Sequence, residues 1–267
     1  MNAQDLVQDS TPSRSLHHEA LERAFQIQGY VTIPGVVSRT LLANLHQQLL
    51  AELERAKTAG ELFTGGGTLS GHLNCFPGAR SRAVYDSLEA HGVIALVQKL
   101  SARPLRLPNV GCNLNLPGSS AQNEHVDGYA ATPFLVVNVA VVDTGLENGA
   151  MEVMPRTQQR DYKYWELLAS RPERLRLRMS QGDVAIRTST LWHRGMPNRT
   201  DQARPMLAFT WEDGGSALPD PFLAHDQIRF FPNRFRTDWA GRLRERVFIT
   251  APRLSRAARA ARSLFGL

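Results

Sequence analysis

The segment from residue 110 to residue 211 consists of short β-prone runs, and it limits the choice of fold more than any other part of the chain. Gly, Pro, Asn or Asp separate the runs, and these residues end strands and form turns. Leu175, Leu177 and Met179 also alternate with arginines, which predicts a strand with one solvated face. The other runs are 110–116, 133–142, 150–154, 184–187 and 206–211. Many short strands in succession favour a β-sandwich or a barrel.

The part of the chain before residue 110 is different, because its apolar residues recur at helical spacing. We predict helices over 16–28, 38–53 and 89–100, with a short strand over 30–33. Ser38 is a residue type that caps helices at the N-terminus. Helices followed by many short strands predict the α+β class with a mainly β core.

The bulk composition describes a globular chain with no membrane span. Apolar residues make up 42% of the 267 residues and charged residues 21%, so a large core can be buried. The longest apolar run, 134–142, is far shorter than a spanning helix requires. No basic segment followed by an apolar stretch opens the chain, so we expect a cytoplasmic protein. Cys75 and Cys112 form no paired motif and are predicted to be buried thiols.

The net charge of +6 is concentrated at the C-terminus. Residues 228–267 contain ten arginines against Asp238 and Glu245, which gives +8; the remaining 21 basic and 23 acidic residues give −2. A basic segment of this kind can contact an anionic membrane, or it can be a solvated helix. We do not expect nucleic acid as a partner, because the rest of the chain is slightly acidic.

These patterns divide the chain into three units. Residues 1–14 are polar and include Pro12, so they are predicted to form a loose N-terminal arm. Residues 15–250 are predicted to form a single domain, and 251–267 a basic helical tail. The sequence does not indicate the oligomeric state.

The first chemical motif is His125-Val126-Asp127. On an extended backbone, residues i and i+2 point to the same face, so His125 and Asp127 can converge on one point. One imidazole and one carboxylate are two thirds of the two-histidine, one-carboxylate triad that binds non-haem iron(II) and leaves positions open for substrate and oxygen. His193 follows another strand and turn, and it is the candidate for the third ligand.

Arg204 lies eleven residues after His193, at the start of the next β-run. A hairpin there would return the guanidinium to the same cavity. A 2-oxoglutarate molecule chelates a metal through its 2-oxo acid end, and its distal carboxylate needs a fixed partner. Arginine offers a planar fork for that carboxylate, and the hydroxyl of Thr200 can donate a further hydrogen bond.

Taken together, these motifs resemble the phytanoyl-CoA dioxygenase family of iron(II)- and 2-oxoglutarate-dependent oxygenases. The resemblance spans residues 25–211. Its segments are Gln122-x-x-His125-x-Asp127, the stretch 147–155, Gly182-Asp183, and His193-x-Gly195-x-x-Asn198-x-Thr200-x-x-x-Arg204, with a weaker match over 29–35.

The resemblance implies a double-stranded β-helix, or jelly roll, flanked by helices. It implies that His125, Asp127 and His193 bind Fe(II), that Arg204 and Thr200 bind 2-oxoglutarate, and that O2 is consumed. Polar residues before the His-x-Asp motif tend to lie near the co-substrate in this family. The candidates here are Asn113, Asn115 and Gln122.

Two features separate the chain from parts of the family. Gln158 stands where a histidine is common in the family. This position lies outside the triad, so the difference concerns the substrate and not metal binding. Asp127 is retained, whereas halogenating relatives typically lose this carboxylate, so halogenation is disfavoured. The expected reaction is hydroxylation of an unactivated C–H bond in a small metabolite, or in a lipid, sugar or natural-product intermediate. The same kind of centre can also desaturate, epimerise or close rings, and the sequence does not choose among these outcomes.

Four residues are candidates for contact with the substrate: Tyr129, Asn138, Arg187 and Trp192. Each has a structural alternative, such as core packing for Trp192 or a satisfied polar group in a strand for Asn138. The glycines 65–67 and the segment to Cys75 are predicted to form either a lid or a plain surface loop.

Two other functions remain open from the sequence. A cupin-like metalloenzyme using zinc or manganese would need the triad but not Arg204. A non-catalytic protein could instead bind a membrane surface through its basic tail.

Overall fold

The computed structural model describes residues 18–60, 70–101, 103–224, 226–230 and 239–265. The predicted arm 1–14 and the glycines 65–67 lie outside the described residues.

Helices precede the β core, as the apolar spacing predicts. They are α1 (His18–Gln28), α2 (Arg39–Thr58), α3 (Arg82–Ala90) and α4 (Val93–Leu100). Helix α2 begins after Ser38 and buries the apolar stripe from Leu42 to Leu53. The helix predicted over 89–100 is present over Val93–Leu100, but its predicted start is wrong. Gly92 adopts a left-handed conformation with φ of 74°, and this residue separates α3 from α4.

Within the described ranges, the β core consists of two antiparallel sheets. The strands of the large sheet are β1 (Tyr30–Ile33), β2 (His72–Phe76), β3 (Asn109–Asn115), β4 (Leu135–Ala140), β7 (Val184–Thr188), β9 (Arg204–Thr210) and β10 (Arg229–Phe230). Those of the small sheet are β5 (Glu152–Val153), β6 (Leu175–Arg176) and β8 (His193–Arg194). The strand order is β1-β7-β4-β9-β3-β2-β10 in the large sheet and β6-β5-β8 in the small sheet. This arrangement confirms the α+β class with a mainly β core.

Each strand predicted from the sequence is present, although several are shorter. The alternating run from Leu175 to Met179 is paired as a strand over Leu175–Arg176 alone. The end of the predicted lid segment belongs to strand β2, which pairs with β3 so that His72 faces Asn115.

Period-two alternation divides the large sheet into two faces with different roles. On one face, Val137, Ile186 and Leu207 belong to the main apolar core, which the N-terminal helices cover. On the other face, Ala140, Ala185 and Met206 pack against Val153 and Leu191 in a smaller core between the sheets. Polar residues of β3, β4, β7 and β9 occupy this second face, and they surround the candidate site.

Three further helices follow. Helix α5 (Tyr164–Ser170) lies between β5 and β6 in the chain, and α6 (Trp239–Thr250) and α7 (Pro252–Phe265) come after the last strand. The 251–267 tail is thus helical in its described part, and α7 lies against α5. Among the described helices, none has the length and apolarity needed to cross a bilayer.

Candidate active site

The two candidate histidines lie side by side because their backbones are paired. His193 is on β8, and its N–H donates to the carbonyl of His125 at 3.0 Å. The His125 N–H donates back to the His193 carbonyl at 2.9 Å. Asp127 is held two residues further on, where its N–H donates to the carbonyl of Ser189 at 2.8 Å. The motif therefore extends the small sheet by one short strand segment.

His125, Asp127 and His193 bring their ligand atoms together as the i, i+2 spacing predicted. One ligand atom from each residue lies within 4.8 Å of the others. The Nε2 atoms of both histidines are 3.7 Å from Asp127 Oδ1, and the two ring centroids are 4.4 Å apart.

Hydrogen bonds from the other ring nitrogen set the tautomer of both histidines. Nδ1 of His125 lies 2.9 Å from the carbonyl of Asn123, and Nδ1 of His193 lies 2.9 Å from the carbonyl of Leu191. A carbonyl only accepts, so each Nδ1 carries the proton and each Nε2 presents a lone pair. Burial, aided by the Arg187 guanidinium, lowers the pKa of His193 to about 3, so this ring is neutral at physiological pH.

Arg187 fixes the orientation of the Asp127 carboxylate. Its Nη2 donates to Asp127 Oδ2 at 2.5 Å, and its Nε donates to Asn138 Oδ1 at 3.0 Å. Burial alone would raise the pKa of Asp127, but the Arg187 guanidinium and the two histidines hold it well below its usual range. Oδ2 is therefore occupied by the arginine, and Oδ1 is the oxygen that faces the imidazoles.

Arg204 is a buried cation with no carboxylate partner among the described residues. Its side chain donates to backbone carbonyls, at 3.4 Å to Asn148 and 3.1 Å to Gly149. Burial lowers its pKa to about 10, so it remains charged at neutral pH. A buried charge without a counter-ion costs free energy, and an anionic ligand would offset that cost.

Asn115 lies beside Arg204, because the two residues are paired between β3 and β9. Its Nδ2 donates to the carbonyl of Met196 at 2.8 Å, and its Oδ1 is buried without a partner among the described residues. Gly149 is next to it, and a Cβ there would lie 2.2 Å from Asn115 Nδ2. The close approach requires glycine at position 149.

Thr200 and Asn198 organise the turn between β8 and β9. Asn198 Nδ2 donates to the Asn115 and Gln202 carbonyls, and its Oδ1 accepts from the Thr200 hydroxyl at 2.7 Å. The hydroxyl of Thr200 is thus engaged within the turn. Its contact with a co-substrate stays a prediction.

His72 is a residue of this site that sequence reasoning missed. Its Nε2 lies 2.8 Å from the carbonyl of Ser120, whereas its Nδ1 is buried without a hydrogen-bond partner in the described structure. Burial lowers its pKa to about 4, and the nearby Arg204 and His125 contribute. The polar residues His72 and Asn74 alternate with the apolar residues Leu73 and Cys75, so the period-two pattern of the sequence could have revealed this strand.

Gln122 and Asn113 occupy defined positions around His72. The Oε1 of Gln122 accepts from the Gly195 N–H at 2.8 Å, so this side chain holds the turn after His193. A Cβ at Gly195 would lie 2.8 Å from both Gln122 Oε1 and His72 Cε1. Asn113 donates to Asn74 Oδ1 at 2.9 Å across the β2–β3 pair. Contact of either side chain with a co-substrate stays a prediction.

The four predicted substrate residues have different environments. Tyr129 is 83% exposed two residues after Asp127, whereas Trp192 is buried against Tyr164 with ring centroids 5.9 Å apart. Asn138 and Arg187 are buried and bonded to each other, and Arg187 reaches Asp127. Arg187 Nη1 is buried without a partner among the described residues, so one donor remains for a ligand oxygen.

The residues that converge here fit a divalent transition metal. Two imidazole nitrogens and one carboxylate oxygen face one another. The remaining polar atoms of the three side chains are already bonded, both Nδ1 atoms to carbonyls and Asp127 Oδ2 to Arg187. Without a cation, two lone pairs and a negative oxygen would point at the same small space. Such a donor set suits iron(II), with further positions left open.

Comparison with known proteins agrees with this geometry. Dioxygenase lolE1 of Epichloe uncinata is 25% identical over 159 residues, which is 55% of this chain and 62% of that protein. The chain therefore spans less than two thirds of the length of this curated relative.

Two solved structures show the same fold. The epimerase SnoN, solved with Fe3+, α-ketoglutarate and nogalamycin RO, has a TM-score of 0.55 and 21% identity over 72% of this chain and 82% of that chain. The carbocyclase SnoK of nogalamycin biosynthesis has a TM-score of 0.58 and 17% identity over 80% of this chain and 96% of that chain.

The family description for phytanoyl-CoA dioxygenase (PhyH) matches residues 25–206. This range contains the small sheet, both histidines, Asp127 and Arg204. It is well over half of the chain, and the protein therefore belongs to the phytanoyl-CoA dioxygenase family.

Proposed function

We propose that this protein is an iron(II)- and 2-oxoglutarate-dependent oxygenase that uses His125, Asp127 and His193 as metal ligands. The observation that carries the proposal is the convergence of both Nε2 atoms and Asp127 Oδ1, with one ligand atom of each residue within 4.8 Å of the others. Arg204 is a buried arginine that lacks a carboxylate partner among the described residues, and both it and His125 lie close enough to His72 to lower the pKa of that histidine. SnoN, a protein of the same fold, was solved with Fe3+ and α-ketoglutarate.

Bound iron would couple the reduction of O2 and the decarboxylation of 2-oxoglutarate to the oxidation of a C–H bond, with succinate and CO2 as co-products. The chain itself supplies the geometry. The Nδ1 bonds of both histidines fix the ring planes, and Arg187 leaves Asp127 with one free oxygen. Arg204 is the partner we assign to the distal carboxylate of 2-oxoglutarate, where a two-pronged guanidinium–carboxylate contact replaces two weak carbonyl contacts.

We propose hydroxylation of a small molecule as the reaction. The curated relative lolE1 is described as a dioxygenase, which supports this outcome. SnoN and SnoK are described as an epimerase and a carbocyclase, so the same fold also serves reactions of other kinds. Incorporation of labelled oxygen from O2 into the oxidised substrate, as distinct from succinate, would support hydroxylation. An oxidised substrate without the label would contradict it.

The test of the metal and co-substrate is an anaerobic titration of metal-free protein with iron(II) and then 2-oxoglutarate. We expect a weak visible charge-transfer band that needs both components and is lost in His193→Ala. The control is His91→Ala, an exposed histidine at the end of α3, which should keep the band. Tight metal binding without any band would favour the cupin-like metalloenzyme, and no metal binding would end the oxygenase proposal.

We also keep a cytoplasmic location and a peripheral membrane contact as proposals. Leu254 and Phe265 are 62% and 73% exposed on α7, and Arg262 is exposed between them along the helix. An exposed apolar row with arginine beside it suits an anionic bilayer surface. Co-sedimentation with anionic vesicles should decrease in Leu254→Glu/Phe265→Glu, and unchanged binding would contradict the contact.

A further inference from the structure

The residue before the metal ligand His125 is Glu124, whose side chain is fully buried. Its Oε2 accepts from the Tyr164 hydroxyl at 2.8 Å, and its Oε1 accepts from Arg174 at 3.1 Å and from Arg256. Burial alone would raise the pKa of Glu124, but its own backbone N–H, the tyrosine and the arginines lower it, so the group is ionised. Arg256 comes from α7, at the far end of the chain.

A second arginine of α7 contacts the backbone rather than the side chain. Arg259 Nη1 donates to the carbonyl oxygen of Glu124 at 2.5 Å, and its guanidinium lies 4.2 Å from the centroid of the Tyr164 ring. That carbonyl belongs to the peptide group whose N–H is that of His125. The same N–H donates to His193 at 2.9 Å. One peptide plane is therefore held by the paired strand on one side and by α7 on the other.

The same helix also packs near His193, the other candidate histidine ligand. Trp192 immediately precedes His193, and it packs with Met154, Tyr164 and Leu167. Ala260 of α7 packs against this cluster. The hydroxyl of Ser263 accepts from the Tyr164 N–H at 3.0 Å. Helix α7 thus contacts Glu124, the residue before His125, and it contacts the cluster that contains Trp192, the residue before His193.

These contacts come from one side of α7. Arg256, Arg259, Ala260 and Ser263 occupy positions i, i+3, i+4 and i+7, which share one face of a helix, and all four are partly buried. Arg253 and Arg262 are exposed. The arginines of the tail therefore fall into two groups. One group is bonded to the segment that carries the metal ligands, and the other is solvated.

We propose that α7 positions the metal ligands, with Arg256 and Arg259 as positioning residues that hold the Glu124–His125 peptide. The proposal rests on the assignment of His125 as a metal ligand. Groups that orient a ligand from outside the coordination sphere change metal affinity by about 10- to 100-fold when removed. Because coupling is reciprocal, a helix that raises metal affinity must itself be stabilised when metal binds.

The first test uses the unaltered full-length protein. Hydrogen–deuterium exchange of the α7 amides is measured without metal and with saturating iron(II) under anaerobic conditions. We expect slower exchange in α7 when metal is bound, although α7 supplies no ligand. If the protein binds iron(II) and exchange in α7 does not change, the positioning role is wrong. If it binds no metal, the proposed function fails as well.

The second test compares two single substitutions on the same helix. Arg256→Gln removes an inward guanidinium, and Arg253→Gln removes an exposed one a turn earlier. Competition with a chelator should show iron(II) affinity about tenfold weaker in Arg256→Gln and unchanged in Arg253→Gln. Arg256→Lys, which keeps the charge, should recover part of the affinity. A purely structural role would lower the melting temperature of Arg256→Gln without changing metal affinity, and that result would overturn the proposal.

Discussion

The backbones of His125 and His193 exchange two hydrogen bonds, of 2.9 and 3.0 Å, so the two candidate ligands start from directly opposed positions on adjacent strand segments. Asp127 comes next on the same face as His125. The spacing of the ligand atoms is therefore built into strand pairing and does not depend on long, flexible side chains. The groups around this pair lead to predictions about metal affinity, co-substrate binding and stability.

Removal of Arg187 should weaken metal binding. Its Nη2 occupies Asp127 Oδ2, so Arg187→Ala frees the carboxylate to rotate and leaves Asn138 Oδ1 without its donor. We expect iron(II) affinity to fall about 10- to 100-fold. Arg187→Lys keeps the charge but cannot make both contacts, so its iron(II) affinity should lie between those of the unaltered protein and Arg187→Ala. Affinity equal to the unaltered protein in Arg187→Ala would contradict this role.

Arg204→Ala should act on the co-substrate and leave the metal in place. A buried charge-assisted hydrogen bond contributes about 2 to 3 kcal/mol, so KM for 2-oxoglutarate should rise by roughly 100-fold. Iron(II) affinity without 2-oxoglutarate should be unchanged. In a thermal shift assay with iron(II), 2-oxoglutarate should raise the Tm of the unaltered protein but not that of the variant. An equal shift in both would assign the co-substrate to other residues.

His72 should make the metal-free protein sensitive to acid. Its pKa is lowered from 6.5 in the unfolded chain to about 4, so between these values the unfolded state binds the proton and the folded state does not. The free energy of unfolding should fall as the pH drops from 6.5 towards 4, by at most about 3 kcal/mol from this residue. Denaturant unfolding at several pH values gives the free energy of unfolding as a function of pH, and this free energy should fall less steeply towards low pH in His72→Gln. An equally steep fall in both proteins would show that other groups titrate.

Gly149→Ala should disrupt the turn beside Arg204. The added Cβ would lie 2.2 Å from Asn115 Nδ2 and 2.4 Å from the Met196 carbonyl, at a φ of 84° that side chains rarely adopt. We expect a loss of roughly 2 kcal/mol or more in the free energy of unfolding and a higher KM for 2-oxoglutarate. Gly145→Ala is the matched control, since nothing lies within 4 Å of its Cβ position among the described residues. Similar stability of the two variants would contradict the close approach.

The sequence predicted the fold and the centre of the site because both depend on local patterns. Alternation and turn residues define the strands, and the i, i+2 spacing brings His125 and Asp127 together. His193 and Arg204 were candidates from their positions in and after predicted strands, and the resemblance to the oxygenase family supported both. The family is confirmed, whereas the individual roles of these residues stay predictions.

The groups that sequence reasoning missed are defined by long-range packing. His72 reaches the site because β2 pairs with β3. Glu124 is buried among residues from α5, from α7 and from the small-sheet region. Arg187 was predicted to contact the substrate. Its bond to Asp127 forms because the large sheet, which carries Arg187, lies opposite the segment that carries Asp127. No local pattern in a single sequence contains these distances.

Small side chains separate the two sheets at the candidate site. Ala140 and Ala185 lie on the inner face of the large sheet, which also carries Arg204, and they pack against Val153 of the small sheet. Val153 is paired with His193, so this packing links the position of the histidine strand to that of the large sheet. A larger residue at position 185 should therefore push the two sheets apart while it keeps every candidate ligand. The fit of a dicarboxylic acid between the proposed metal site and Arg204 would then be set by core packing.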